Sequence, residues 1–481
     1  MKICQNQLLL KTFMISSQQF PRDLFSFRLT RLSSVIFLVP LFCNATIVFP
    51  DYGKPDSATL LSCQESCSFS IVESIPIGMD YPVGSTLHNS TFSVWQELIR
   101  DATKTIEIAS FYWTLRSFLP RVDQFIHGAD QGEQIFNSLV EAGIDRKLTL
   151  KIVQDPPAKT RPNNDTADLK AMGAAEVRNV YFRKLFGSGI LHTKLWLVDR
   201  KSAYIGSANL DWRSLTQVKE IGIYIKDCPC LAEDIGKIFD VYWMLGEPNA
   251  KRPDKWPSHL ETNINEDTPL PVKIDNSDAG VFVTSSPSLL CPEGRTTDLL
   301  GVTKIISEAR KYIYISVMDY YPLIIFSKKH EYWGILDTYL KTAAINYDVE
   351  IRMLISSWTS TRDYANYFLR SLADINGAFH KTKIFIKIFV VPTFGEQSRI
   401  PYARVNHNKF VVTENSAWVG TSNWSGDYFL STGGVSFVTE GSSTLRDQLE
   451  EVFLRDWNSQ FANDLSMDRP NPKDQPKIVF F

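Results

Sequence analysis

The sequence lacks a strong net charge. Its 481 residues contain 51 lysines and arginines and 53 aspartates and glutamates, which leaves a formal charge of −2 at pH 7. This balance excludes binding of a polyanion by a uniformly basic surface, so affinity for phosphate must come from a local site. The seven histidines gain positive charge below a pH of roughly 6.5, so an acidic compartment favours anion binding.

Long apolar segments are also scarce. Residues 32–49 are mostly apolar, but Pro40 and Asn44 interrupt them and they are short for a membrane span. Residues 1–31 carry five basic residues and one acid, Asp23. We predict a basic cytosolic leader over 1–31 and an uncleaved signal-anchor over 32–49, with a cleaved signal peptide as the alternative. In both cases the rest of the chain enters the secretory lumen.

Cysteine is sparse, with seven residues that include two close pairs. Cys63 and Cys67 follow the apolar segment, and Cys228 and Cys230 lie far downstream. Such pairs can hold zinc, but no partner histidine lies nearby and the chain looks exported, so disulfides are favoured over a metal site. We predict Cys63–Cys230 and Cys67–Cys228, the pairing that suits two antiparallel segments.

Four asparagines begin Asn-x-Ser/Thr sequons: Asn44, Asn89, Asn164 and Asn423. A lumenal protein can be glycosylated at such sites. Asn423 belongs to a repeated motif described below, so we expect it to be spared. The sequence therefore predicts glycosylation at Asn89 and Asn164.

One motif occurs twice, over residues 192–209 and 407–423. In each copy a lysine follows a histidine by two residues, a carboxylate follows it by seven, and a Gly-[Ser/Thr]-x-Asn turn ends the motif. The residues are His192, Lys194, Asp199, Ser207 and Asn209 in the first copy, and His407, Lys409, Glu414, Ser422 and Asn423 in the second. Alternation along a strand places the histidine and lysine on one face, as a site that holds a phosphate requires.

The elements before each motif also repeat. Hydrophobic periodicity predicts helix, strand, helix, strand, helix and strand before the motif in both halves. The predicted ranges are 91–103, 105–113, 133–142, 148–154, 167–175 and 177–181, then 298–309, 312–317, 333–342, 349–355, 362–372 and 384–391. We predict an internally duplicated α/β fold whose halves, 50–245 and 281–481, pack about a pseudo-twofold axis and share one active site, with 246–280 as the linker.

The paired motifs indicate phosphodiester chemistry. Two lysines would neutralise the phosphate oxygens, while Asn209, Asn423, Ser207 and Ser422 would donate hydrogen bonds to them. One histidine would attack phosphorus and the other would protonate the leaving oxygen, giving a phosphohistidine that water hydrolyses. The lysines supply the positive charge, so we expect neither a metal nor another cofactor. Among the candidate catalytic residues, Asp199 and Glu414 are interpreted as hydrogen-bonded supports.

The two halves differ at one position that concerns the chemistry. Glu220 stands eleven residues after Asn209, whereas Gly434 stands eleven after Asn423. A carboxylate at Glu220 would hold one imidazole nitrogen and raise the basicity of the other. We therefore predict that Glu220 orients His192 as the nucleophile and that His407 is the general acid.

The paired motifs resemble those of the phospholipase D superfamily. A closer resemblance, to its animal lysosomal branch of third and fourth paralogues, rests on the runs at 72–76, 109–115, 191–194, 206–209, 211–220, 400–409 and 420–426. Glu414 in place of aspartate is similar to that branch. A cysteine pair usual in the branch is missing, since Ser357 occupies one position and the C-terminal tail has no cysteine.

The resemblance implies a lysosomal type II membrane protein, reached through the endoplasmic reticulum and Golgi, that is processed to a soluble form in some cases. It implies a metal-independent 5′-exonuclease on single-stranded DNA and RNA, and a homodimer is a further expectation. The alternative is a phospholipid hydrolase or transphosphatidylase, because an alcohol can resolve the same phosphohistidine. A membrane-tethered interaction protein with a relict site is disfavoured by the intact motifs.

Overall fold

A computed structural model of the chain describes residues 67–117, 128–327, 329–379, 381–441 and 443–465. The predicted leader, the predicted anchor, Asn44 and Cys63 lie outside these residues. Within the described ranges, no helix has both the length and the apolar character needed to cross a membrane.

The first half follows the predicted order of elements. Its elements are β1 (Ser68–Ser74), β2 (Asn89–Ser90), α1 (Thr91–Asp101), β3 (Thr105–Ser110), β4 (Trp113–Thr114), α2 (Ala129–Ile144), β5 (Thr149–Gln154), α3 (Asn164–Ala171), β6 (Glu176–Asn179), α4 (Phe182–Phe186), β7 (Lys194–Val198), β8 (Ser202–Gly206), β9 (Leu210–Asp211), α5 (Trp212–Thr216), β10 (Glu220–Lys226) and α6 (Pro229–Leu245).

The second half repeats this order. Its elements are β11 (Leu270–Ile274), β12 (Ser277–Ser286), α7 (Asp298–Glu308), β13 (Tyr312–Val317), β14 (Leu323–Ile324), β15 (Glu331–Tyr332), α8 (Ile335–Asn346), β16 (Glu350–Ser356), α9 (Ala365–Ala373), β17 (Ile384–Phe389), β18 (Lys409–Thr413), β19 (Ser416–Gly420), α10 (Gly426–Leu430), β20 (Gly434–Glu440), α11 (Thr444–Trp457) and β21 (Ala462–Asp464). Short 3₁₀ turns lie at Ser258–Leu260, Ser288–Leu290 and Gly395–Arg399.

Each half contains one large mixed sheet, and the two sheets have the same inner strand order. The first runs β2-β1-β10-β8-β7-β3-β5-β6, and the second runs β11-β12-β20-β19-β18-β13-β16-β17-β21. In both, the central strand (β3 or β13) pairs in parallel with β5 or β16 and antiparallel with the motif strand (β7 or β18). The predicted internal duplication of an α/β unit is therefore confirmed.

Local sequence explains why equivalent helices begin where they do. The Ser90 hydroxyl accepts the Ser93 N–H at 3.0 Å before α1, and the Thr297 hydroxyl accepts the Leu300 N–H at 3.2 Å before α7. A hydroxyl at this position satisfies one of the free N–H groups of the first turn. The duplication thus extends to the caps of these helices.

The halves share a hydrophobic core. One face of each sheet packs against the other half and against helices α6 and α11 in one buried cluster. This cluster includes Ile205, Ile223, Phe239, Val419, Phe437 and Phe453. Separate clusters cover the outer face of each sheet. The motif strands are buried on both faces, which explains their nearly continuous apolar sequence.

The linker prediction needs a correction. Residues 270–274 and 277–280 lie within the predicted 246–280 linker, but they form β11 and the start of β12. These strands pair antiparallel at the edge of the second sheet. Alternating apolar residues in Leu270–Ile274 carry the strand signal, which the surrounding proline and acidic residues obscure.

A disulfide joins Cys67, just before β1, to Cys228, just before α6. It closes a loop with a sequence separation of 161, as predicted. Cys230 is also disulfide-bonded, whereas its predicted partner Cys63 lies outside the described residues. In the chain-entropy treatment a loop of this length contributes at most about 5 kcal/mol to the free energy of unfolding.

Backbone hydrogen bonds cross between the halves in a mirrored way at the two motifs. The His192 N–H donates to the Gly433 carbonyl and the Gly433 N–H to the Ile190 carbonyl, at 2.8 and 2.9 Å. The His407 N–H donates to the Lys219 carbonyl and the Lys219 N–H to the Val405 carbonyl, at 2.8 and 3.0 Å. Each half therefore holds the histidine of the other, which fixes the pseudo-twofold relation.

The Lys219 side chain adds a buried ion pair to this contact. Its ammonium lies 2.7 Å from the Asp456 carboxylate of α11, and both side chains are fully buried. Arg455 reaches the same carboxylate at 3.0 Å and Glu73 of β1 at 2.8 Å. This network ties α11 to β1 and to the residue that precedes β10.

We expect Asp456→Ala to lower the free energy of unfolding by about 3–5 kcal/mol, because it leaves the Lys219 ammonium buried without a partner. Asp447→Ala is the control, since this carboxylate on the same helix is 54% exposed and should cost less than about 1 kcal/mol. Denaturant unfolding measures both. Equal losses in the two variants would contradict the assigned role of the buried pair.

Candidate active site

The two motifs meet at a cavity of about 620 Å³ whose walls come from both halves. His192, Asn209 and Glu220 line it from the first half, and His407 and Asn423 from the second. Each histidine lies two residues before the start of its motif strand (β7 or β18), and the cross-half hydrogen bonds fix its backbone. The predicted sharing of one site is therefore confirmed.

The motif lysines lie behind the histidines. The Lys194 Nζ donates to the His192 carbonyl at 2.5 Å, and the Lys409 Nζ donates to the His407 carbonyl at 2.6 Å. Both side chains are completely buried, and neither contributes to the cavity wall. From this position their charges can attract an anion in the cavity, and the predicted neutralisation of phosphate oxygens stays a prediction.

Both motif asparagines line the cavity. The side-chain oxygens of Asn209 and Asn423 are buried and have no hydrogen-bond partner among the described residues. The Asn423 amide nitrogen donates to the Tyr428 hydroxyl at 3.1 Å. Both amides therefore belong to the cavity wall, and their binding of a phosphate stays a prediction.

The predicted phosphate-binding role of Ser207 and Ser422 is wrong in this structure. The Ser207 hydroxyl donates to Glu220 Oε2 at 2.6 Å, and the Ser422 hydroxyl donates to Asp298 Oδ2 at 2.7 Å. Neither serine lines the cavity, because each hydroxyl lies beneath it and binds a buried carboxylate. They support the site from below.

Asp199 and Glu414 are supports, as interpreted from the sequence. Asp199 accepts hydrogen bonds from the backbone N–H groups of residues 103, 104 and 105, each at 2.7 Å. Glu414 accepts N–H groups at the equivalent positions 310, 311 and 312, at 2.6, 3.2 and 3.4 Å. Each carboxylate therefore anchors the loop before the central strand of its sheet, away from the cavity.

Glu220 binds His407, whereas the sequence analysis predicted that it would bind His192. Its Oε2 lies 2.7 Å from Nδ1 of His407, across the interface between the halves. The reason lies in the topology, because β10 continues directly from Lys219, whose carbonyl holds the His407 backbone. The predicted Glu220–His192 contact is wrong, and the argument that made His192 the nucleophile on that basis fails with it.

The Nδ1 of His192 contacts a backbone carbonyl, whereas that of His407 contacts a carboxylate. The His192 Nδ1 lies 3.1 Å from the Thr421 carbonyl and 3.1 Å from the Lys194 ammonium. Gly434 occupies the position equivalent to Glu220, and a Cβ there would lie 2.7 Å from the Ser286 hydroxyl and 2.9 Å from the Ser422 hydroxyl. A side chain at position 434 would therefore require these two hydroxyls to move.

The neighbouring charges act differently on the pKa values of the two histidines. Burial and the neighbouring Lys194 and Lys409 ammonium groups hold the pKa of His192 well below its usual range. Burial also lowers the pKa of His407, to about 4, but the Glu220 carboxylate opposes the shift. The Thr421 carbonyl can only accept a hydrogen bond and so favours a proton on Nδ1 with a free Nε2 lone pair, whereas the Lys194 ammonium beside the same nitrogen favours a lone pair on Nδ1.

Several residues of the site carried no signal in the sequence analysis. Asp319 follows β13 and lies 3.5 Å from the Asn423 amide nitrogen, with its pKa raised to about 6 by burial. The Phe111 and Tyr428 rings pack against the His192 imidazole, with centroids 5.0 and 5.1 Å away. Neither ring belongs to a repeated motif, so periodicity and spacing could not identify them.

The two predicted glycosylation sites lie at different distances from the chemistry. Asn89 is exposed in the short edge strand β2. Asn164 is exposed at the first residue of α3, and it lines the cavity. Glycosylation itself stays a prediction at both positions.

Comparison with known proteins agrees with this geometry. A family model described as "PLD3/4, PLD-like domain" matches residues 84–394. The chain belongs to the PLD3/4 family. A Xenopus laevis protein named 5′-3′ exonuclease PLD3 is 45% identical over 442 residues, which cover 89% of each chain. The human protein of the same name is 42% identical over 405 residues, covering 84% of this chain and 82% of its own.

A solved structure shows a similar fold. The phosphatidylserine synthase of Haemophilus influenzae Rd KW20 matches with a TM-score of 0.52 at 12% identity, over 78% of this chain and 85% of its own. At this identity the similarity concerns the architecture alone. The resemblance inferred from the motif runs is therefore confirmed for both family and fold.

We expect kcat/KM for phosphodiester cleavage to fall with rising pH, first as the predicted general acid His407 loses its proton above about pH 4 and again as the pH rises through about 7. Burial lowers the pKa of Lys409 to about 7 and that of Lys194 well below its usual range. Each lysine is cationic below its pKa and neutral above it, so attraction for phosphate is lost on the alkaline side. A pH–rate profile of the free enzyme measures this loss. A rate that stays constant well above that pH would contradict it.

Proposed function

We propose that the chain is a phosphodiesterase that degrades single-stranded nucleic acid as a 5′-3′ exonuclease. The observation that carries the proposal is the meeting of His192 and His407, from different halves, at one cavity backed by two buried lysines. Relatives at 42–45% identity are named 5′-3′ exonuclease PLD3, which supports the substrate class and the direction.

The charges of the site support an assignment of roles. The general acid must hold a proton before reaction, whereas the nucleophile must be unprotonated. Glu220 favours a proton on His407, and Lys194 disfavours one on His192. We therefore assign His192 as the nucleophile and His407 as the general acid, for a different reason from the one that the sequence offered.

In the first step the Nε2 lone pair of His192 forms a bond to phosphorus, while the bond from phosphorus to the leaving oxygen breaks. His407 gives its proton to that oxygen and becomes neutral. The Thr421 carbonyl accepts Nδ1–H of His192 and favours the tautomer that attacks. In the second step His407 removes a proton from water, which attacks phosphorus and releases His192.

The buried lysines supply the positive charge that this pathway requires. Two ammonium groups behind the cavity stabilise the charge that develops on the phosphate oxygens. The proposal therefore involves neither a metal nor another cofactor. Full activity in the presence of a strong chelator is the expected result, and loss that added Mg²⁺ or Zn²⁺ restores would contradict it.

Phospholipid is the second candidate substrate, because it offers the same phosphodiester group. The described cavity wall has apolar side chains such as Trp113 and Met318 beside its polar groups, which suit an acyl chain as well as a base, whereas the named activity of the relatives favours nucleic acid. The purified protein should therefore cleave a single-stranded oligonucleotide faster than phospholipid vesicles in parallel assays. The reverse order would favour the second candidate.

We also propose that the enzyme works in the lumen of an acidic compartment, reached by a membrane anchor at residues 32–49. The disulfide between Cys67 and Cys228 is compatible with an oxidising compartment on that route. Endoglycosidase sensitivity that disappears in an Asn89→Gln/Asn164→Gln double variant tests entry into the lumen. Homodimer formation stays an expectation.

We expect His192→Ala to lose turnover of both an oligonucleotide and a p-nitrophenyl phosphodiester, because no nucleophile is left. His407→Ala should lose about 10²–10⁴-fold on the oligonucleotide but much less on the p-nitrophenyl ester, whose leaving group needs no proton. Steady-state kinetics measures both, and His259→Ala is the control outside the cavity. Rescue of His192→Ala by the activated ester would contradict the assignment.

A further inference from the structure

Two arginines line the cavity and take no part in the chemistry described above. Arg213 is held by the Asp211 carboxylate at 2.5 Å, which leaves Arg161 as the cation without a close ion pair. Arg161 lies in the loop between β5 and α3 and lines the cavity opening. Its side chain is 26% exposed, so a ligand can reach it. A cation at the wall of this cavity can bind an anionic group of the substrate.

The Phe111 ring contacts both Arg161 and His192. The Arg161 guanidinium carbon is 4.3 Å from the centre of the Phe111 ring, and that ring packs against the His192 imidazole at 5.0 Å. The Lys194 ammonium lies 5.6 Å from the same ring. Stacking on Phe111 holds the guanidinium plane, which leaves the N–H groups at its edge directed away from the ring.

The guanidinium has hydrogen-bonding capacity to spare. Its described polar contacts are two long ones, at 3.4 and 3.5 Å, to the same Oδ2 of Asp155. The other oxygen of Asp155 accepts the Leu191 N–H at 3.0 Å. Burial raises the pKa of Asp155 to about 6, so its competition for Arg161 weakens in acid. An incoming phosphate can therefore bind Arg161 without breaking a strong ion pair.

We propose that Arg161 binds the phosphate next to the scissile one in a single-stranded nucleic acid. Arginine donates two parallel hydrogen bonds to a phosphate, and a polymer presents a second phosphate where a phospholipid with one phosphodiester has none. Arg161 is thus a residue that determines substrate class. The proposal rests on the proposed nuclease function and extends it to a second contact point.

The opposite side of the site is built differently, which gives the bound strand a direction. Arg362 occupies the corresponding loop after β16, where its guanidinium lies 5.7 Å from the Phe326 ring and 5.9 Å from the Tyr364 ring. Arg362 does not line the cavity. The pseudo-twofold axis therefore relates the two histidines but leaves the second phosphate contact on one side alone.

The test compares Arg161→Met with Lys159→Met on three substrates. Lys159 is an exposed cation of the same loop that does not line the cavity, so it controls for the charge of the loop. The substrates are an oligothymidylate, the dinucleotide with its single phosphodiester, and bis-p-nitrophenyl phosphate. Arg161→Lys, which retains a charge but not the fork of donors, is the conservative variant.

We expect Arg161→Met to raise KM for the oligothymidylate about tenfold, with a smaller change in kcat. The slope of log KM against log salt should fall by about one, the result of losing one phosphate contact. Cleavage of the dinucleotide and of bis-p-nitrophenyl phosphate should stay unchanged, and Lys159→Met should behave like wild type. Arg161→Lys should recover part of the loss.

Two results would overturn the proposal. Equal losses on all three substrates would show that Arg161 merely supports the His192 region, and an unchanged KM for the oligothymidylate would show that it binds no second phosphate. Failure of the nuclease function is a different result, because wild-type protein would then leave the oligothymidylate intact while it still cleaved bis-p-nitrophenyl phosphate.

Discussion

The contact between Glu220 of the first half and His407 of the second is the interaction on which the rest of the site depends. A fully buried carboxylate is costly unless a partner satisfies it, and here the partners are the Nδ1 of His407 at 2.7 Å and the Ser207 hydroxyl at 2.6 Å. The contact therefore requires both halves to be packed together. It also makes the pseudo-symmetric site chemically unequal, since Gly434 leaves His192 without a carboxylate.

The second constraint is the burial of positive charge. Two completely buried lysines lie behind the histidines; the Glu220 carboxylate attracts both of them, and Asp319 attracts Lys409. Burial lowers the pKa of each lysine because the charged form loses its water, and a bound phosphate would restore the cation. An anion in the cavity thus completes an electrostatic arrangement that the protein alone leaves short of negative charge.

The sequence predicted much of this structure, because repeated spacing carries information that a single motif does not. The duplicated order of elements, both histidine–lysine pairs, the supporting Asp199 and Glu414, and the Cys67–Cys228 bond all agree with the structure. The sequence-based prediction was wrong for a contact that crosses between the halves. Spacing relates Glu220 to Asn209 along the chain, but the exchange of backbone hydrogen bonds between the halves places Glu220 beside His407. The predicted phosphate contacts of Ser207 and Ser422 were wrong because a strand pattern does not show which hydroxyls lie beneath the cavity.

The most direct test of the account is the effect of Glu220→Gln on two substrates that differ in leaving group. The amide keeps the shape and can accept Nδ1–H, but it lacks the charge that favours a proton on His407. We expect kcat on an oligonucleotide to fall about 10²-fold and kcat on a p-nitrophenyl phosphodiester to fall much less, with Glu308→Gln, which is exposed, unchanged. Equal losses on both substrates, or full activity on the oligonucleotide, would contradict the claim that Glu220 supports the general acid across the interface.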